Sequence, residues 1–86
     1  MKYIVVYSKT ALKEIKELPA QYARKVFKKT EMLAENPRPP GCKKLVGSKE
    51  SMWRIRIGDY RILYSIDDTI KIVDIRKIGH RRDIYQ

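Results

Sequence analysis

Three arginines inside one short β-rich stretch have the chemistry to hold a phosphate. In Trp53-Arg54-Ile55-Arg56-Ile57-Gly58-Asp59-Tyr60-Arg61-Ile62-Leu63-Tyr64, two runs of β-branched and aromatic residues flank Gly-Asp. That pair suits a two-residue turn with positive φ at the glycine. A turn there sets Ile57 opposite Tyr60, Arg56 opposite Arg61, Ile55 opposite Ile62, Arg54 opposite Leu63 and Trp53 opposite Tyr64. Opposed residues share a sheet face and successive residues alternate faces. One face then carries Trp53, Ile55, Ile57, Tyr60, Ile62 and Tyr64, and the other Arg54, Arg56 and Arg61. Like charges directly opposed across a hairpin cost stability, and an anionic ligand would relieve Arg56 against Arg61. Guanidinium groups bind phosphate bidentately, keep their charge, and suit the extra charge of a phosphorane transition state. A solvated basic face is the bland reading of one basic strand. Three arginines converging across a hairpin, with Arg81 and Arg82 in the tail, favour a site.

Arginine does not carry protons, because it does not readily deprotonate in proteins. RNA cleavage through a 2′-hydroxyl needs a base for that proton and an acid for the departing 5′-oxygen. In this chain the work falls on His80, which titrates in the useful range, on Tyr85 with cationic neighbours to lower its pKa, or on a substrate or solvent group. The carboxylates offer less. Asp67-Asp68 falls where a turn belongs, Asp83 could at most orient a tail arginine or His80, and Glu50 lies in a loop. There is no HExxH, glycine-rich phosphate loop, zinc spacing or nucleophile elbow. Trp53 and Tyr64 read as core rather than as platforms for stacked bases.

The elements that must position these groups are legible in the pattern. Tyr3-Ile4-Val5-Val6-Tyr7 reads as a first strand, and Ser8 as the N-cap of a short helix carrying Ala11, Leu12, Ile15 and Leu18 at helical spacing. Pro19 fits the start of a second helix with Ala23, Val26, Phe27, Thr30 and Leu33 on one stripe. Arg24, Lys25, Lys28 and Lys29 cover its other faces, a solvated surface by default. That helix ends at Asn36-Pro37. Arg38-Pro39-Pro40-Gly41 returns the chain to a short edge strand, Lys43 to Val46, followed by polar residues 47–51. The hairpin occupies Trp53 to Ile66, and Ile70 to Ile78 forms a last strand ended by Gly79. The fold class is α+β: an N-terminal strand, a helical hairpin, then a twisted, mainly antiparallel sheet with both helices on one face. The apolar face of the hairpin should meet those helices, leaving the arginine face open.

At 86 residues the chain makes one domain, 1–86, with a modest core. Hydrophobic residues make up 43% of it, too many for a disordered tail. Its 20 basic and 10 acidic residues leave a net charge of +10, which invites a polyanion. No apolar run approaches a membrane span, and Ile4-Val5-Val6 is too short for a signal-peptide core. Cys42 is alone, so no internal disulfide forms and a thiolate metal site lacks partners. A cytoplasmic protein with no metal or cofactor is the simplest expectation.

Over essentially its whole length the chain resembles the RelE/ParE superfamily of toxins from prokaryotic type II toxin–antitoxin pairs. The residues that carry the likeness are the Trp53–Tyr64 hairpin and Ile78-Gly79-His80-Arg81-Arg82-Asp83-Ile84-Tyr85, in that order. The resemblance to the RelE branch implies a ribosome-dependent mRNA interferase that cuts A-site mRNA by metal-independent 2′-hydroxyl attack. It implies catalytic roles for Arg56, Arg61, Arg81 and Tyr85, with His80 as a second proton-carrying candidate. RNA-binding roles fall to Arg54, Arg82, Lys43 and Lys44. Arg54 and Arg56 stand where RelE members often carry lysine, and the segment before Tyr85 is shorter here. Lys43 aligns best with the glutamate base of a related branch, which disfavours that version of the chemistry. The partners implied are the ribosome, mRNA and an acidic, largely helical, RelB-like antitoxin that binds a monomeric toxin in a hetero-oligomer. The alternatives are a ParE-like DNA gyrase inhibitor that cleaves nothing, and a catalytically inactive RNA binder. ParE-like relatives generally lack the arginine at 61 and the His-Arg tail with its terminal tyrosine.

Overall fold

The computed structural model describes residues 2–46 and 51–80. The chain runs β1 (Ile4–Tyr7), α1 (Lys9–Lys16), α2 (Ala20–Met32), β2 (Lys43–Lys44), β3 (Met52–Ile57), β4 (Tyr60–Asp67) and β5 (Ile72–His80). The strands form one sheet in the order β1-β5-β4-β3-β2. Only β1 and β5 are parallel; the other neighbours are antiparallel. The α+β expectation of a mainly antiparallel sheet carrying a helical pair on one face is met. The parallel pair arises because β1 is followed by two helices, which return the chain to the same end before the sheet is completed.

Local chemistry sets the helix boundaries. The Ser8 side chain accepts the Ala11 N–H at 3.0 Å, as an N-cap should, and its hydroxyl also donates to the Arg76 carbonyl at 3.0 Å. One serine therefore starts α1 and ties it to β5. Pro19 stands at the N-cap of α2, one position ahead of its first helical residue. On α2, Val26, Thr30 and Leu33 are buried, whereas Phe27 lies toward the rim and meets Tyr7 edge-to-face at 5.6 Å. The buried Thr30 hydroxyl donates to the Phe27 carbonyl and so accepts from Tyr7 at 2.5 Å.

The core joins Ala11, Ile15, Val26 and Leu33 of the helical layer to Ile55, Ile62, Tyr64, Val73, Ile75 and Ile78 of the sheet. Ile55, Ile62 and Tyr64 are three of the six residues expected on the apolar face of the hairpin. Trp53 and Ile57 pack against this cluster, half-buried. The Tyr64 hydroxyl, deep in it, donates to the Pro37 carbonyl at 2.7 Å, and burial pushes its pKa up. This bond fastens the loop after α2 to the middle of the sheet.

Two boundaries differ from the pattern. The edge strand is only Lys43–Lys44, shorter than Lys43 to Val46, although the Leu45 N–H still reaches the Met52 carbonyl. The last strand begins at Ile72 rather than Ile70, continues past Ile78 to His80 and contains a β-bulge: Leu63 pairs with Lys77 but Tyr64 pairs with Ile75, so Arg76 is the extra residue. Val73 and Ile75 face the helices before the bulge, and Ile78 faces them after it. A strand without the extra residue would turn Ile78 outward. At Asp67-Asp68 the turn reading holds: Asp67 Oδ1 accepts the N–H groups of Thr69 and Ile70.

Candidate phosphate-binding site

The hairpin register is the expected one at every position from Trp53↔Tyr64 to Ile57↔Tyr60, with Gly58 at φ +56° in the turn. Arg56 therefore lies directly across from Arg61, and Arg54 from Leu63. Pairing with the flanking strands extends the row. Lys43 of β2 pairs with Arg54, and Lys77 of β5 pairs with Leu63. Lys43, Arg54, Arg56, Arg61 and Lys77 thus share the sheet face turned away from the helices. Among the described residues none of the three arginines forms an ion pair.

The expectation of an open arginine face needs correcting. Arg54 and Arg61 are only 4% and 6% exposed, while Arg56 is exposed. The strand pairing differs between them: Arg54 has a paired residue on both sides, Lys43 on β2 and Leu63 on β4. β2 begins at Lys43, opposite Arg54, so no β2 residue pairs with Arg56 two positions further along β3, and Pro40 and Gly41 line the cavity beside it. Among the described residues, Arg54 Nη1 and Arg61 Nε are buried without a hydrogen-bond partner. An unpaired buried charge costs several kcal/mol on the order-of-magnitude scale, and an anion that accepts these N–H groups would recover much of it. A cavity of about 330 Å³ opens beside Arg54, with Lys29, Lys43, Arg54 and Arg56 around Pro40, Gly41 and Ile55. Its four cationic residues make it a place for a phosphate-bearing ligand.

The remaining sequence candidates divide. Lys43 lines the cavity, and Lys44 is exposed beside it on β2, paired with Trp53. His80 does not join the arginines. It pairs with Tyr60 in the row that faces the helices, and its ring meets the Tyr60 ring edge-to-face at 5.8 Å. The bulge at Arg76 is the cause: it flips the alternation of β5, so Gly79 lies opposite Arg61 and His80, like Ile78, turns to the helix face. Arg81, Arg82, Asp83, Tyr85 and Glu50 lie outside the described residues. Sequence reasoning passed over Lys29, one of four cations on α2 with nothing in the spacing to single it out, and Lys77, whose face is set by the bulge.

A second arginine centre is structural. Arg38 donates to both carboxylate oxygens of Asp68 at 3.2 and 2.9 Å, and its guanidinium lies 5.0 Å from the Trp53 ring centroid. The Tyr3 hydroxyl donates to the same carboxylate at 2.6 Å. These donors, Arg38 first, hold the Asp68 carboxyl down at about 2. The cluster ties the loop after α2 to the β4–β5 turn.

The fold is a two-helix layer on a β1-β5-β4-β3-β2 sheet, with a basic row across the face turned away from the helices. The chain belongs to the RelE/ParE family: residues 5–85 match the model of the ParE toxin of type II toxin–antitoxin systems, parDE. Within it the likeness is to the RelE branch. The chain is 37% identical to the putative toxin RelE1 of Methanocaldococcus jannaschii, over 100% of this chain and 98% of that one. It is 33% identical to toxin RelG of Mycobacterium tuberculosis, over 100% and 99%. Among solved structures, the archaeal RelE–RelB complex from Pyrococcus horikoshii superposes with a TM-score of 0.83 at 30% identity, covering 96% of this chain and 99% of that one. No helix among the described residues is long and apolar enough to cross a membrane.

Proposed function

We propose that this toxin is a ribosome-dependent mRNA endoribonuclease that stops translation in the cytoplasm by cutting A-site mRNA. The observation that carries the reading is the buried pair Arg54 and Arg61, with nitrogens that lack partners among the described residues, beside an exposed Arg56 on one sheet face. In the proposed reaction a base takes the 2′-hydroxyl proton, the O2′–P bond forms and the P–O5′ bond breaks. The departing 5′-oxygen takes a proton from solvent, leaving a 2′,3′-cyclic phosphate and a 5′-hydroxyl end. Arg56 and Arg61, with Arg81 from the tail, hold the phosphate and stabilise its extra charge, a role that metal ions fill in other nucleases. Arg54, Lys43, Lys44 and Arg82 position the RNA. Tyr85 serves as the base, and the ribosome supplies the orientation of the 2′-hydroxyl. A cognate antitoxin, acidic and largely helical, neutralises the toxin; the net charge of +10 and the RelE–RelB complex of the similar archaeal protein support that partner.

Cell-free translation of a reporter mRNA, mapped by primer extension, tests this. Codon-positioned cuts that vanish in Arg61→Ala and fall sharply in Tyr85→Phe are expected. The family model matched is that of ParE, which favours one alternative, a non-enzymatic gyrase inhibitor. Intact mRNA together with loss of gyrase supercoiling would establish it in place of the nuclease.

A further inference from the structure

We infer that His80 is a positioning residue for Arg61 and does not carry a proton in the reaction; this rests on the nuclease reading above. The geometry of two adjacent rows carries it. Arg56, Arg61 and Gly79 form one row across β3, β4 and β5 on the arginine face. Ile57, Tyr60 and His80 form the next row, whose side chains lie on the helix face, where the β3–β4 turn closes the sheet. His80 contributes a ring to that terminal row and none to the arginine face. Its imidazole packs on Tyr60 at 5.8 Å and 77°, and Tyr60 in turn packs on Tyr22 of α2 at 5.2 Å. The strand end is thereby pinned to a helix. Glu14 of α1 adds a second pin, its Oε1 accepting the Ile78 N–H at 2.8 Å.

Arg61 depends on this arrangement because its own side chain is not anchored at Nε. That nitrogen is buried without a partner among the described residues, and the residue across from it on β5 is a glycine with no side chain to brace it. The place of the guanidinium is then set by the strands that carry it. A row that frays at the end of β5 lets the neighbouring row slide, and a 1 Å error at a reacting phosphate is worth roughly a hundredfold in rate. Edge-to-face packing needs an aromatic ring and not a titrating one. Phenylalanine should therefore replace histidine, and alanine should not.

The test compares His80→Phe, His80→Ala and Tyr60→Leu by primer extension in cell-free translation and by NMR of the ¹⁵N-labelled full chain. Cleavage should fall about tenfold or more in His80→Ala and Tyr60→Leu and stay within about threefold of the parent in His80→Phe. The Arg61 Nε–Hε signal and the Arg61 and Gly79 amides should shift or broaden in the first two variants only. The Val73 and Ile75 amides, in the core, should stay in place in all three. Loss of cleavage in His80→Phe as deep as in His80→Ala makes the imidazole a proton carrier and overturns the inference. Parent-like cleavage and Arg61 signals in His80→Ala overturn it as well. A parent protein that cuts no mRNA refutes the nuclease reading alone, because the NMR comparison still decides whether His80 orders Arg61.

Discussion

Arg38 and the pair Arg54 and Arg61 invert the usual relation between burial and pairing. Arg38 is exposed yet fully engaged, bidentate on Asp68 and stacked on Trp53. Arg54 and Arg61 are almost wholly buried yet leave a nitrogen each without a partner among the described residues. An arginine that holds a fold together makes its contacts within the fold. An arginine with a buried nitrogen that no described residue satisfies can take an acceptor from outside the fold. Trp53 and Arg54 are consecutive on β3, so this contrast is drawn across one peptide bond: the tryptophan side meets Arg38, and the arginine side meets the open cavity.

Substitution can break the contrast. The largest effect is expected from Arg61→Met, which should lower mRNA cleavage by about 100- to 1,000-fold, as loss of one transition-state donor does. In the same variant the stability measured by urea unfolding should hold or rise, by up to roughly 1–4 kcal/mol, because an apolar side chain replaces a buried charge. A destabilised Arg61→Met would show that the guanidinium is satisfied internally after all. Next, Arg54→Met should weaken RNA binding and reduce its dependence on salt, measured by titration at several ionic strengths, with stability again preserved. On the structural side, Tyr64→Phe removes the hydroxyl bonded to the Pro37 carbonyl and should cost about 1 kcal/mol of unfolding free energy, with cleavage unchanged.

The smallest effect concerns Asp68. Its carboxyl is held at about 2 in the fold against an ordinary 3.8, so the unfolded chain binds the proton more readily than the folded one. The contribution of this group to stability is complete above 3.8 and is lost as pH falls towards 2. Thermal unfolding followed between pH 5 and 2 should show a shallower fall for Asp68→Asn than for the parent, with a lower melting temperature at neutral pH. Equal slopes would separate the Arg38 cluster from the acid response of the fold.

Much of this was legible without coordinates, for reasons that are local. The Gly58-Asp59 turn dictates the register of the β3–β4 hairpin, because a two-residue turn leaves one way to pair the strands. Ser8 as N-cap, the Val26-Thr30-Leu33 stripe and the Asp67 turn follow from side chains acting on backbone within a few residues. The face of His80 was not legible because it depends on an extra residue at Arg76, and a bulge has no reliable signature in a strand apolar on both faces. The burial of Arg54 and Arg61 was equally hidden. Neither residue differs in its immediate sequence from Arg56, which is exposed.

By itself, then, the sequence determined the elements, the pairing of the basic hairpin and the excess of positive charge, since these follow from propensity, turn chemistry and composition. The tertiary structure alone decided which arginines are desolvated and which side of the sheet His80 occupies. Both depend on strands brought together from far along the chain: β2 starts opposite Arg54, two positions short of Arg56, and β5 meets β4 through its bulge. Burial and facing are properties of neighbours, and at these positions the neighbours are distant in sequence.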